Sequence, residues 1–193
     1  MNTRQITRSA LFLGLAGALL LASGQAQAAV ISLSPSTPTP TVGNNFSVDV
    51  LVTGVFDAPH VGDELFAFGF DLSGLGGIIS YLNFTPGPLF GPLVIPGIDA
   101  GGLSLDPSIV APITEPLLLG TLNFQAIAPG VLVLSISADP IGDLNEGLQY
   151  LSGSDDIEAS TTLNVGAAGV PEPGSILLTA AGLALVAFRF VKR

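Results

Sequence analysis

His60 is the only histidine in the chain, and it sits in the run Asp57-Ala-Pro-His60-Val-Gly-Asp63-Glu64. Imidazole nitrogens and carboxylate oxygens are ligand types for a divalent ion. Asp57, His60, Asp63 and Glu64 therefore form one candidate metal site, against the plainer reading of a polar turn that contains a histidine. A second acidic stretch, Asp139 followed by Asp143-Leu-Asn145-Glu146-Gly147, sets oxygen ligands at alternate positions, like part of a calcium loop. It lacks the third aspartate, the glycine at position six and the glutamate at position twelve that an EF-hand needs. Asp139, Asp143 and Asn145 are thus either ligands for Ca2+ or parts of an Asx-stabilised turn, and beyond such an ion the sequence implies no cofactor. Covalent chemistry finds less. There is no cysteine, hence no thiolate nucleophile and no disulfide. Gly-x-Ser-x-Gly, a Gly-rich phosphate loop and His-Glu-x-x-His are all absent from the sequence. Paired carboxylates can hydrolyse glycosides, but in a body this acidic such pairs arise without design. The residues point away from an enzyme, with a secreted carboxylate hydrolase as the most distant alternative.

Charge placement narrows the classes further. The net charge is -10, yet all five basic residues (Arg4, Arg8, Arg189, Lys192 and Arg193) stand in the terminal tails. From Ala29 to Val170 there is no Lys or Arg, while fourteen of the fifteen carboxylates lie there. Nucleic-acid binding depends on cationic groups displacing counterions from phosphates, so it is excluded for this body. Phosphate clamps, Schiff-base lysines and arginine fingers go with it. The same absence predicts a body without internal salt bridges, which tolerates self-repulsion or recruits cations. Sugar binding by ring stacking is disfavoured, because the body holds no Trp and only Tyr81 and Tyr150.

The elements that must position these side chains read as strands. Gly and Pro are scattered, and the segments between them alternate with period two. Val30 to Leu33 is a first strand. Phe46, Val48, Val50 and Val52 alternate with Ser47, Asp49, Leu51 and Thr53, giving one apolar face. Phe66, Phe68 and Phe70 fall on a single face of the next strand, and Ile78 to Phe84 offers another. Leu117 to Ala126 (Leu118, Leu122 and Phe124 inward) and Val131 to Ala138 (Leu132, Leu134 and Ile136 inward) are expected to pair around the turn Pro129-Gly130. Ile157, Ala159, Thr161, Leu163 and Val165 close the domain. About seven strands of this kind predict an all-β, immunoglobulin-like sandwich with Greek-key connections. Pro86 to Pro116, with seven prolines and five glycines, holds either a bent edge strand or a functional projection.

Both ends read as addresses rather than fold. Residues 1–28 have a basic lead, an apolar stretch from Ala10 to Leu21, and small residues Ala26 and Ala28 at -3 and -1, the layout of a cleaved secretory signal for the Sec translocon. Ser175 to Phe188 is uncharged and ends on Arg189-Phe-Val-Lys192-Arg193. A helix over residues 175–191 would be about 26 Å long, slightly short of a hydrocarbon core of roughly 30 Å, with Arg189 snorkelling. Arg189, Lys192 and Arg193 favour the cytoplasmic side and put the body outside. Before this span stands Val170-Pro171-Glu172-Pro173-Gly174. Residues 170–193 together resemble the PEP-CTERM sorting signal. The resemblance implies recognition of Pro171, Glu172 and Pro173 by a membrane-embedded exosortase, transient residence in the inner membrane, and delivery to the envelope or matrix of a bacterium that makes exopolysaccharide.

Residues 29–169 carry a second resemblance. Thr41-Val-Gly-Asn-Asn-Phe-Ser-Val-Asp-Val50, Leu65 to Leu72 and Leu119-Gly-Thr-Leu-Asn-Phe-Gln-Ala-Ile-Ala-Pro-Gly130 are similar to the strand pattern of cohesin-like domains, sandwiches related to certain carbohydrate-binding modules. Cohesins bind dockerin partners, although no dockerin-reading residue can be matched here. The expectation is an exported, non-enzymatic surface or matrix protein with an adhesive, structural or interaction role toward a surface protein or exopolysaccharide. The alternative is a polysaccharide-binding module.

Overall fold

The computed structural model describes residues 29–105, 109–138 and 146–168. Every regular element among them is a strand. In chain order these are β1 (Val30–Pro35), β2 (Asn45–Thr53), β3 (Leu65–Ser73), β4 (Ile79–Pro86), β5 (Phe90–Pro92) and β6 (Ala100–Ser104). They continue as β7 (Leu117–Ala126), β8 (Gly130–Ser137), β9 (Gly147–Tyr150), β10 (Ser154–Asp155) and β11 (Glu158–Val165). No helix among the described residues is long and apolar enough to cross a membrane. The segments 1–28 and 170–193, with Ala26, Ala28, Pro171, Glu172, Pro173, Arg189, Lys192 and Arg193, lie outside the described residues, as do Asp139, Asp143 and Asn145.

Alternation in β2 works as the sequence predicts: Val48, Val50 and Val52 are fully buried and Phe46 nearly so. Their strand sits inside an antiparallel sheet of order β1-β2-β7-β4. The larger sheet runs β10-β9-β3-β6-β5, and β8 joins β3 on one side and β11 on the other. β3 has two neighbours along one edge: its first half pairs with β9, and Asp71 to Ser73 pair with Ser137 to Ser135 of β8. The C-terminal end of β11 closes the sandwich against the β1–β2 connection, where Val42 N–H donates to Gly166 O at 3.0 Å and Gly166 N–H to Pro40 O at 2.8 Å.

The core lies between the sheets. Phe68 meets Phe90 edge-on with centroids 4.8 Å apart, and Phe84 packs against both Phe68 and Phe70. Burying each such ring stabilises the fold by about 1.5–3 kcal/mol. Gly120 belongs to this packing, because a Cβ there would lie 2.2 Å from Phe84 Cζ.

Several expectations need correction. β7 and β8 both form, but they do not pair with each other: β7 lies between β2 and β4, and β8 in the opposite sheet. The connection through Ile127 and Ala128, whose N–H groups both donate to Ile78 O, carries the chain across the core. The two apolar faces, Leu122 with Phe124 and Leu132 with Leu134, thus face one another instead of standing side by side. In β7 a register shift opposite Val50/Leu51 buries Leu117 and Leu119 and turns Leu118 partly outward. In β3 a shift at Leu65/Ala67 buries Leu65 fully and takes Phe66 out of the expected phenylalanine face. For residues 86–116, by contrast, the edge-strand reading holds: the described residues there contain two short strands, β5 and β6, at one edge of the larger sheet, and a bridge between Ile109 and Leu65.

The two outer faces differ in chemistry. On the smaller sheet, Ser34, Asp49, Thr121 and Thr85 form one row across four strands. Ser47, Asn123 and Asn83 form a second, and Asn45, Gln125 and Ser80 a third. On the larger sheet the exposed side chains include Leu103, Leu105 and, at its end, Leu151.

Candidate functional site

The loop after β2 is held by a carboxylate. Gly54, at φ +71°, turns the chain through a conformation that other residues rarely adopt. Its N–H and that of Val55 both donate to the Glu115 carboxylate at 3.1–3.2 Å. The loop then winds through successive turns, with His60 N–H donating to Asp57 O at 2.7 Å and Asp63 N–H to His60 O at 3.0 Å. This winding delivers the His60 ring inward, 5 % exposed.

There the ring meets the β9–β10 hairpin. It stacks on Tyr150 with centroids 3.7 Å apart and planes 8° from parallel. Nδ1 lies 3.1 Å from Asp63 Oδ2 and 3.2 Å from Ser152 Oγ, and Nε2 lies 3.1 Å from Asp155 Oδ1. The Tyr150 hydroxyl donates to Val55 O at 2.9 Å. Burial, then the Asp155 and Asp63 carboxylates, push the Tyr150 phenol above its ordinary range, so it remains a neutral donor. The Ser152 hydroxyl donates to Asp63 Oδ2. That bond is the largest cause holding the Asp63 carboxyl down at about 2, against the opposing cost of desolvation and with help from the Glu64 N–H, His60 and the Ser152 N–H.

Ser152, His60 and Asp155 have the residue types of a hydrolytic triad, and the hydrogen bonds decide against that use. A nucleophilic serine must give its proton to an unprotonated ring nitrogen. Here the hydroxyl proton goes to Asp63, and both ring nitrogens face carboxylate oxygens that can only accept. The cluster is a clamp between the loop and the hairpin. It also bears on the expected absence of internal salt bridges, since the His60 ring lies within ion-pair distance of two carboxylates, 3.1 Å from Asp63 and 3.1 Å from Asp155.

The candidate metal set is not assembled. Asp57 is exposed, with its carboxylate against Gly54. Asp63 and Asp155 occupy opposite ends of the ring. Among the described residues no group of three carboxylate or imidazole ligands converges. Tyr150, Ser152 and Asp155 were not legible as partners of His60, because about ninety residues separate them and no motif spacing links them.

The clamp positions something else. Leu151 N–H donates to Glu64 O at 3.2 Å, so the hairpin tip is fixed beside β3, where the bulge has turned Phe66 outward. Phe66, Leu103, Ser104 and Leu151 line a shallow, mostly apolar depression of about 430 Å³ on the outer face of the larger sheet. Leu103 is 48 % and Leu151 69 % exposed. Contiguous apolar surface of this kind marks interaction sites more often than isolated exposed leucines do.

No protein-family model matches the chain, and no curated protein matches it. Solved structures do. A cohesin module from a Clostridium perfringens family 33 glycoside hydrolase superposes with a TM-score of 0.54 at 14% identity, over 72% of this chain and 96% of that one. The seventh ScaB type I cohesin of Pseudobacteroides cellulosolvens gives 0.43 at 15% identity, over 74% and 96%. A type II cohesin of Acetivibrio cellulolyticus, solved with an X-dockerin, gives 0.45 at 12% identity, over 71% and 99%. The first of these, at a TM-score of 0.54 and 14% identity, speaks to fold alone, and by it the body of the chain is a cohesin-like β-sandwich.

Proposed function

We propose that this protein is an exported, non-enzymatic interaction module that docks a protein partner on the outer face of its larger sheet. The observation that carries the reading is the apolar depression in which exposed Leu103 and Leu151 border a half-buried Phe66, held in place by a buried polar clamp at its margin. Its partner presents an apolar ridge flanked by Lys or Arg, because the body between Ala29 and Val170 has fourteen carboxylates and no Lys or Arg. Charge of this kind steers association and suppresses wrong partners. The resemblance of the fold to cohesins, which bind protein partners, supports the same assignment.

Delivery belongs to the proposal. Residues 1–28 direct export, and residues 170–193, through Pro171, Glu172 and Pro173, direct an exosortase to a tail held in the inner membrane by residues 175–191. The product is a protein of the cell envelope or extracellular matrix. A photo-reactive residue at position 103, placed in the full chain in its own cells, should cross-link one exported protein, and the same residue at position 83 should not. Equal products from both positions would remove the docking face. Separately, deleting residues 170–193 should release the body into the medium; undiminished envelope retention would remove the sorting tail.

A further inference from the structure

The outer face of the smaller sheet has a different chemistry, and no part of the docking reading uses it. Its centre is a pair of amides. Asn123 Nδ2 donates to Asn83 Oδ1 at 2.9 Å and to Thr85 Oγ1 at 3.3 Å. Both hydrogens of that amide are thereby committed, which leaves Asn123 Oδ1 as an acceptor and Asn83 Nδ2 as a donor toward solvent. The two groups are held side by side in fixed orientation. Ser36 Oγ accepts from Ser47 N–H at 3.0 Å and extends the same row. A register shift at Tyr81/Asn83 brings Leu82, 47 % exposed, onto this face beside Asn83. These residues border an open depression of about 580 Å³.

We propose that this face binds a neutral polysaccharide chain. Vicinal sugar hydroxyls each donate and accept, which a neighbouring amide oxygen and amide nitrogen answer directly. The C–H side of a pyranose ring needs an apolar rest, and Leu82 supplies one next to the amides. The depression is open rather than enclosed, which suits an extended polymer and not a small molecule that must be surrounded. Charge selects among polymers. The only carboxylate in the three rows is Asp49, which accepts the Thr121 hydroxyl at 2.7 Å, and the body holds no Lys or Arg. Uronic-acid polymers, sulfated glycans and nucleic acids meet repulsion here with no cation to answer them. A second copy of this chain is a poorer occupant, because Leu82 is the one exposed apolar side chain lining the depression.

The test is electrophoresis of the full chain in native gels containing hydroxyethyl cellulose, dextran or alginate. The expected result is retardation by at least one neutral glucan and none by alginate. Asn83→Ala with Asn123→Ala should weaken retardation by about five- to tenfold, the factor that goes with losing one net hydrogen bond. Phe66→Ser should leave it unchanged, so this face and the docking face fail independently. If the double variant loses its strand spectrum, Leu82→Lys on an exposed side chain gives the same reading. Retardation by alginate alone, by no glucan, or equally in the wild type and both variants overturns the proposal. So does a change of oligomeric state on Asn123→Ala without any glucan effect, which would assign the face to self-association.

Discussion

The two outer faces of this sandwich share one core and diverge in what they show to solvent. Both inner faces are built by the same alternation, with Val48, Val50 and Val52 from one sheet facing Phe68 and Phe70 from the other. Outside, the smaller sheet presents ordered rows of amides and hydroxyls, and the larger presents Phe66, Leu103 and Leu151. Inner faces are constrained by packing, so they converge on similar residues. Outer faces of an antiparallel sandwich are free to differ, and around the two depressions they do. The supports differ too. The polar face is laced by side-chain bonds between paired strands, whereas the hairpin that carries Leu151 is tied through His60 to the loop after β2.

The comparison breaks most completely at the shared core. Phe68 is fully buried and in ring contact with Phe70, Phe84 and Phe90. Phe68→Ala should cost about 3–5 kcal/mol, measured by urea unfolding, and should diminish partner docking and glucan retardation together. Loss of one function with the other intact would mean that the sheets do not depend on each other for order.

The clamp should separate the faces. Tyr150→Phe removes the one donor to Val55 O among the described residues, takes that bond from a buried carbonyl and should cost about 1–3 kcal/mol. His60→Ala, which takes the ring from between two carboxylates, should cost at least as much. Both should weaken cross-linking from position 103 while glucan retardation holds. Equal damage to both faces would show that the clamp supports the whole sandwich rather than its apolar side.

Acid should act on the same side. The Asp63 carboxyl is held at about 2 in the folded state against an ordinary 3.8. A depressed folded value means that the charged form is favoured by folding, so its stabilisation is fully present above about pH 4 and is lost as the pH falls from there through about 2. Ser152→Ala removes the largest cause of the depression, so the wild type and this variant should differ in melting temperature at pH 5 and converge toward pH 2. A gap that persists unchanged at pH 2 would mean that Ser152 acts through something other than the Asp63 carboxylate.

How much of this was legible depends on how far each feature reaches along the chain. The face formed by Phe46, Val48, Val50 and Val52 could be read directly, because period-two alternation is a local property. The outward turns of Phe66 and Leu82 could not. Each arises at a bulge, and a bulge depends on the register of a partner strand that lies elsewhere in sequence. The expected β7–β8 hairpin failed for a related reason. The turn at Pro129-Gly130 is a sound turn signal, but it does not say whether the chain returns along the same sheet or crosses the core. Excluding ion pairs by counting Lys and Arg overlooked His60, whose partners Asp63 and Asp155 approach only when the hairpin folds over the loop. Apart from the loop itself, the candidate site was the least readable part of the body, since Phe66, Leu103 and Leu151 come from three separate segments.

The smallest expected effect is the sharpest test of the polar face. Thr121 donates to Asp49 Oδ1 at 2.7 Å across β2 and β7, and Thr121→Val keeps the β-branched shape while removing that donor. Both residues are only partly buried, so water can replace the lost bond, and the change in unfolding free energy should be about 1 kcal/mol or less. A valine in the middle of the row would also add apolar surface, which by itself favours a strand. If stability holds or rises while glucan retardation falls, the amide and hydroxyl rows are kept for what they bind and not for holding the sheet together. A loss well above 2 kcal/mol would reverse that conclusion: the rows would be structural, and the contrast between the two faces would be one of construction rather than of function.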